Sequence, residues 1–194
     1  MCTDNDLSVA VLTSFVRNAS FESTGVPPTP GYGSILAWDA TGQAGLNGAA
    51  GPFHDNGAIP DRQQVAFIQG SGSLAQPIFG LTAGAHYWLQ FHYNARNCCG
   101  GTIDLQVRFG GAEIALVSGV TPVGAGEYHF QNVNFVPTNS TGLLEFVTTA
   151  SGDASLLLDA VNIVSRPPTD IVVKNPSFEG TGIPSGVGYI QPSS

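Results

Sequence analysis

A polar segment runs through Gly51-Pro52-Phe53-His54-Asp55-Asn56-Gly57-Ala58-Ile59-Pro60-Asp61. His54, Asp55, Asn56 and Asp61 could coordinate a cation or hydrogen-bond the hydroxyls of a sugar. The same residue types also satisfy themselves in Asx turns, so both readings stay open. Cys98 and Cys99 are adjacent, and Cys2 is the third cysteine. Neighbouring cysteines can close a vicinal disulfide, a strained ring that stiffens a loop and offers a ligand an apolar face. Two reduced thiols, or a bond from one of them to Cys2, are the alternatives. An odd count with an adjacent pair is no disulfide framework. With no CxxC pair and no histidine at ligand spacing, it is no zinc site either. Trp38 and Trp88 could stack on a sugar ring, although most large aromatics of a β-protein belong to its core. Trp88 alternates with His86, His92 and Asn94 on the more polar face of one strand, which favours it as a surface residue. Arg96 is one of only six Lys and Arg residues, and could clamp a polar ligand or donate to loop carbonyls. No GxSxG, HExxH or P-loop pattern occurs. Neither Asp55 with Asp61 nor Asp104 with Glu113 stands out as a glycosidase pair. On these grounds the chain is expected not to be an enzyme.

The elements that must position these residues read as β-strands. His86–Ala95 places Tyr87, Leu89, Phe91 and Tyr93 on one face and polar residues on the other, the period of a half-buried strand. Thr102–Phe109 alternates likewise, and Gly110-Gly111 then turns the chain into Glu113–Val117. Further strands are expected at Leu7–Leu12, Val16–Phe21, Ser34–Trp38, Gln64–Gln69, Ser73–Ile78, Glu127–Val136, Gly142–Thr148 and Ala154–Val164. A phase slip near Gln131-Asn132 suggests a bulge. Residues 23–62 otherwise read as a long loop, a feature that is usually functional. No amphipathic helix is evident. Many short strands with Gly- and Pro-rich turns predict a sandwich or jelly roll.

Composition agrees. Of 194 residues, 42% are hydrophobic but only 10% charged, with 25 Gly and 13 Pro; an average domain carries roughly 25% charge. The net charge of −8 with no basic run argues against nucleic-acid binding. It suits an extracellular, low-lysine surface. No run of about 18 apolar residues occurs, so no membrane insertion is expected. Leu7–Val16 lacks the basic start and cleavage site of a signal peptide.

The stretch from Val16 to Tyr32 recurs at Val173–Tyr189, 157 positions on (175 − 18), with ten of seventeen residues identical, among them Asn18, Ser20, Phe21 and Glu22. A fixed offset marks a repeated unit. The expected organisation is a lead-in strand at 1–15, a complete module at 16–164, a Pro-rich linker at 165–170, and the start of a second, incomplete repeat at 171–194. The chain then reads as part of a tandem array.

Three landmarks carry a resemblance. They are Asn18-Ala19-Ser20-Phe21-Glu22, Gly80-Leu81-Thr82-Ala83-Gly84-Ala85-His86-Tyr87-Trp88-Leu89, and Leu156-Leu157-Leu158-Asp159-Ala160-Val161-Asn162-Ile163. In order and spacing they resemble the galactose-binding-domain-like jelly-roll superfamily, which includes many bacterial carbohydrate-binding modules. The Asn97-Cys98-Cys99-Gly100-Gly101 loop is similar to that of secreted bacterial tandem-repeat surface proteins. The resemblance implies an all-β antiparallel sandwich whose first and last strands lie close together. It also implies a structural calcium held by Glu22 and Asp159, with Ala160 replacing a second Asp of the family pattern; the alternative is that Glu22 only caps backbone N–H groups at the strand end. The functional expectation is an extracellular, cell-surface module that binds glycan or mediates adhesion, with Trp38, His54, Asp55, Trp88, Asn94, Arg96, Cys98 and Cys99 as ligand-site candidates. The alternative is a structural subunit of a fibre or surface layer whose partners are neighbouring copies of the same protein.

Overall fold

The computed structural model describes residues 14–25, 31–48, 57–99, 101–150 and 152–165. Cys2, His54, Asp55, the expected strand at 7–12 and the segment 171–194 lie outside the described residues. Among the described residues, nine strands follow a 3-10 turn at Glu22–Thr24. They are β1 (Gly31–Tyr32), β2 (Asp39–Gly48), β3 (Gln64–Ile78), β4 (Tyr87–Ala95), β5 (Ile103–Phe109), β6 (Ala112–Val117), β7 (His129–Phe135), β8 (Gly142–Ala150) and β9 (Ser155–Val164).

All strand pairings are antiparallel, in the order β6-β5-β8-β3-β9-β4-β7, with β2 also on β3 and β1 on β2. The fold is an antiparallel β-sandwich, and β3 is its corner. Residues 66–69 of β3 pair with β9, and residues 72–78 pair with β8. The change of partner falls at Gly70-Ser71-Gly72, so the two strands expected at Gln64–Gln69 and Ser73–Ile78 are one continuous strand. Gly70 has φ +68°, and a Cβ on Gly72 would collide with the Thr41 carbonyl. Glycine therefore lets one strand bend through both sheets without ending.

The two sheets meet face to face. Phe91 of β4 packs edge-on to Phe146 of β8 at 5.1 Å, and Phe109 of β5 lies 4.9 Å from Phe135 of β7. The inward positions of each strand supply one continuous core, including Phe21, Leu74, Leu89, Leu105, Phe146 and Leu158. A second small cluster lies on the outer side of the β3–β9–β4 region. There Val65, Phe67, Leu157 and Tyr128 are covered by Ile59 and Val123.

Three local expectations need correcting. Val16–Phe21 is a series of turns, not a strand. The Asn18 side chain organises it, accepting the Ser23 N–H at 2.9 Å and donating to the Leu36 carbonyl at 2.9 Å. Ser34–Trp38 is a turn closed by the Trp38 N–H on the Ile35 carbonyl at 3.0 Å. The true strand is β2, whose Ala- and Gly-rich sequence has weak strand propensity and is held by ladder bonds to β3. The bulges fall at Thr41/Gln43, Gln90/His92 and Val107/Arg108, and the β4–β7 register runs without a break.

Candidate functional site

Residues paired across an antiparallel ladder share a face. On the outer face of β7–β4–β9 the pairs form successive rows. Asn134, Trp88 and Val164 make one row, and Asn132, Gln90 and Asn162 the next, while Phe130 and His92 begin a third. The middle row is three amides side by side on three strands. Each amide can both donate and accept, and all three reach solvent at least in part. Trp88, half-buried, lies on one side of the row, with the His86 ring 6.3 Å away. Phe130, 53% exposed, lies on the other, its ring 5.0 Å from that of His92.

Beyond Phe130 the face ends in a cleft of about 360 Å³ between the segment Ala58–Pro60 and the residues Glu127, Tyr128, Phe130 and His92. The Ala58 N–H donates to the Gly126 carbonyl at 2.8 Å and fixes one wall. The Nδ1 of His92 is buried with no hydrogen-bond partner. Burial holds His92 below its ordinary range, with the Glu127 carboxylate pulling the other way. Burial also pushes the Tyr128 phenol up. Its Oη makes no hydrogen bond of good geometry, although the Asn94 amide is near enough to ease that shift.

Under the cleft wall lies the carboxylate pair. Asp159 pairs with His92 and so belongs to the outer face, yet it is fully buried because the 61–64 segment roofs it. Its Oδ2 accepts the Asp61 N–H at 2.9 Å and its Oδ1 the Ala160 N–H at 2.7 Å. Burial, opposed by those two bonds and helped by the charges of Asp61 and Glu22, pushes Asp159 up to about 7. Glu22 Oε1 accepts the N–H groups of Gln63 and Gln64 at 2.8 and 2.7 Å, and Oε2 takes the Gln64 side-chain amide at 3.1 Å. The segment 61–64 thus ties the two acids together.

The ligand-site candidates do not form one site. Trp38 is a core residue, 5% exposed, against Phe21 and Phe146. Asn94 is buried, its Oδ1 accepting the Val123 N–H at 3.0 Å. Arg96 pairs with Asp153 at 3.7 Å, about 26 Å along the chain from Trp88 at roughly 3.3 Å per residue. Cys98 and Cys99 are joined as a vicinal disulfide in the same end loop. Trp88 alone of the described candidates is open on the amide face, for Asn94 shares that side of β4 but is covered by the 123–128 segment. Phe130, Gln90, Asn132, Asn162 and Glu127 are the residues that the sequence reading did not single out. The alternation in β4 was their signal, but the pairing of three strands was needed to bring them together.

The antiparallel β-sandwich is a fold shared by enzymes and by binding and adhesin domains. No family model matches this chain, and no curated protein matches it. Solved structures do. A cyclase from Fischerella sp. TAU, in complex with 4-(1H-indol-3-yl)butan-2-one, is 16% identical, with a TM-score of 0.62 over 81% of this chain and 99% of its own. The carbohydrate-binding module TmCBM61, in complex with β-1,4-galactotriose, is 16% identical with a TM-score of 0.54, over 79% of this chain and 99% of that one. The K1 adhesin domain of Lys-gingipain from Porphyromonas gingivalis W83 is 13% identical with a TM-score of 0.51, over 76% and 96%. At these identities the likeness is one of fold. It corrects the expectation that the chain is not an enzyme: the same sandwich serves as a cyclase, so the absence of a familiar catalytic motif carries no such conclusion. No helix among the described residues is long and apolar enough to cross a membrane.

Proposed function

We propose that this module binds glycan through the outer face of β7–β4–β9 and so serves adhesion at a cell surface. The row Asn132–Gln90–Asn162, flanked by Trp88 and Phe130, carries the reading. Sugars present hydroxyls to amides and apolar ring faces to aromatics, and the face offers both. The carbohydrate-binding module and the adhesin domain among similar folds support it. The vicinal disulfide favours an oxidising, extracellular setting. The test is an array of plant, algal and bacterial polysaccharides. Binding that Trp88→Ala weakens supports the proposal, and silence across the array removes it.

A structural calcium is proposed at Glu22 and Asp159. Gln64 Oε1, buried without a hydrogen-bond partner beside Glu22, would offer a further hard oxygen. Among the described residues no three acidic, histidine or cysteine side chains converge on one point, so main-chain or amide oxygens must complete the shell. The ion would hold the 61–64 segment over Asp159 and take no direct part in glycan contact.

The second reading, assembly with neighbouring copies in a fibre or surface layer, rests on the recurrence of the Val16–Tyr32 stretch. Electron microscopy tests it: particles that stay separate with calcium present would count against it.

A further inference from the structure

The cleft continues the amide face, because His92 and Phe130 belong to both. Its chemistry differs from that of the face. Among the described residues that line it, Glu127 is the sole charged side chain, with no Lys or Arg. The carboxylate acts on His92, whose ring lies 5.0 Å from the exposed ring of Phe130, so acid and ring line the same cleft. A carboxylate next to an aromatic face suits an ammonium group, through a charge-assisted hydrogen bond and attraction to the ring. The chain's net charge of −8 disfavours sugar acids and sulfated chains.

We propose that the glycan taken by this face carries a free amine, an amino sugar whose ammonium group enters the cleft beside Glu127 while neighbouring rings lie on the amides. This rests on the glycan reading above and adds the substrate class. Neutral hydroxyls use the row of amides. The amine uses Glu127 and Phe130, and its N-acetylated counterpart loses both the charge and the fit.

Calorimetry with glucosamine oligomers and the matched N-acetylglucosamine oligomers tests it. An exposed ion pair and one cation–π contact together predict roughly three- to tenfold tighter binding of the free amine. The preference should shrink as salt rises from low to high ionic strength. In Glu127→Gln the ratio of the two affinities should fall to about one. Should that variant fail to fold, the salt dependence of the ratio in the unaltered protein decides. Equal affinity for both oligomers overturns the amine while leaving the glycan reading in place. Binding of neither overturns both. Binding of methylammonium as tightly as of the glucosamine oligomer leaves an amine site with no role for the sugar, and overturns the proposal.

Discussion

The backbone N–H of Asp61 donates to Oδ2 of Asp159 at 2.9 Å across 98 residues of sequence. This bond seals an acid inside the outer face of a sheet. The consequence is a pH-dependent stability of unusual sign. Asp159 rises from its ordinary 3.8 to about 7 on folding, chiefly through burial. The metal-free folded state therefore holds this proton more tightly than the unfolded chain. Its contribution is fully present below about pH 4 and is lost as pH rises to about 7, by at most about 1.4 kcal/mol per pH unit. Urea unfolding in EDTA at pH 4, 5.5 and 7.5 measures it, and Asp159→Asn should flatten the profile. A calcium ion bound by Asp159 would favour the ionised form, so calcium should restore the stability lost near neutral pH.

The two tryptophans separate stability from binding. Trp38 fills the core beside Phe21 and Phe146, so Trp38→Ala should cost about 3–5 kcal/mol in chemical denaturation. Trp88 stands half-buried on the amide face. Trp88→Ala should cost much less stability, yet weaken polysaccharide binding about tenfold in calorimetry.

Ala160 occupies the β9 side of the bulge opposite Gln90/His92 with φ 50°. A side chain in the left-handed region costs about 1–2 kcal/mol, and glycine returns part of that gain as unfolded-state entropy. Ala160→Gly should leave the fold stable or stabilise it by up to about 1 kcal/mol, read as the shift in urea midpoint.

The bond between Cys98 and Cys99 joins adjacent residues and closes almost no loop. Chain-entropy stabilisation scales with the loop enclosed. Reduction with a mild thiol should therefore move Tm by only a degree or two, and any change in binding would reflect loop shape rather than unfolding.

How much was legible in the chain varies from element to element. β4 and β5 follow from alternation because each buries one face and wets the other. β2 was hidden because Ala and Gly carry little strand preference, and its ladder to β3 holds it instead. The Asn18–Glu22 motif was visible as a repeated stretch, but its form as a turn was not. Asn18 has φ 48° and its side-chain bonds reach Ser23 and Leu36, contacts that local propensity does not encode.

By itself the sequence determined an all-β sandwich, its polar surface, and one outward-facing strand bearing Trp88, because periodicity and composition are local and survive without partners. Only the tertiary structure decided what stands beside that strand. Register across β7, β4 and β9 set Asn132, Gln90 and Asn162 in one row. A one-residue bulge at Ala160 turned Asp159 under the 61–64 segment. The loop at Ala58–Pro60 then closed a cleft against Glu127 and Phe130. Each of these joins residues tens of positions apart, and their meeting depends on strand pairing that no local pattern specifies.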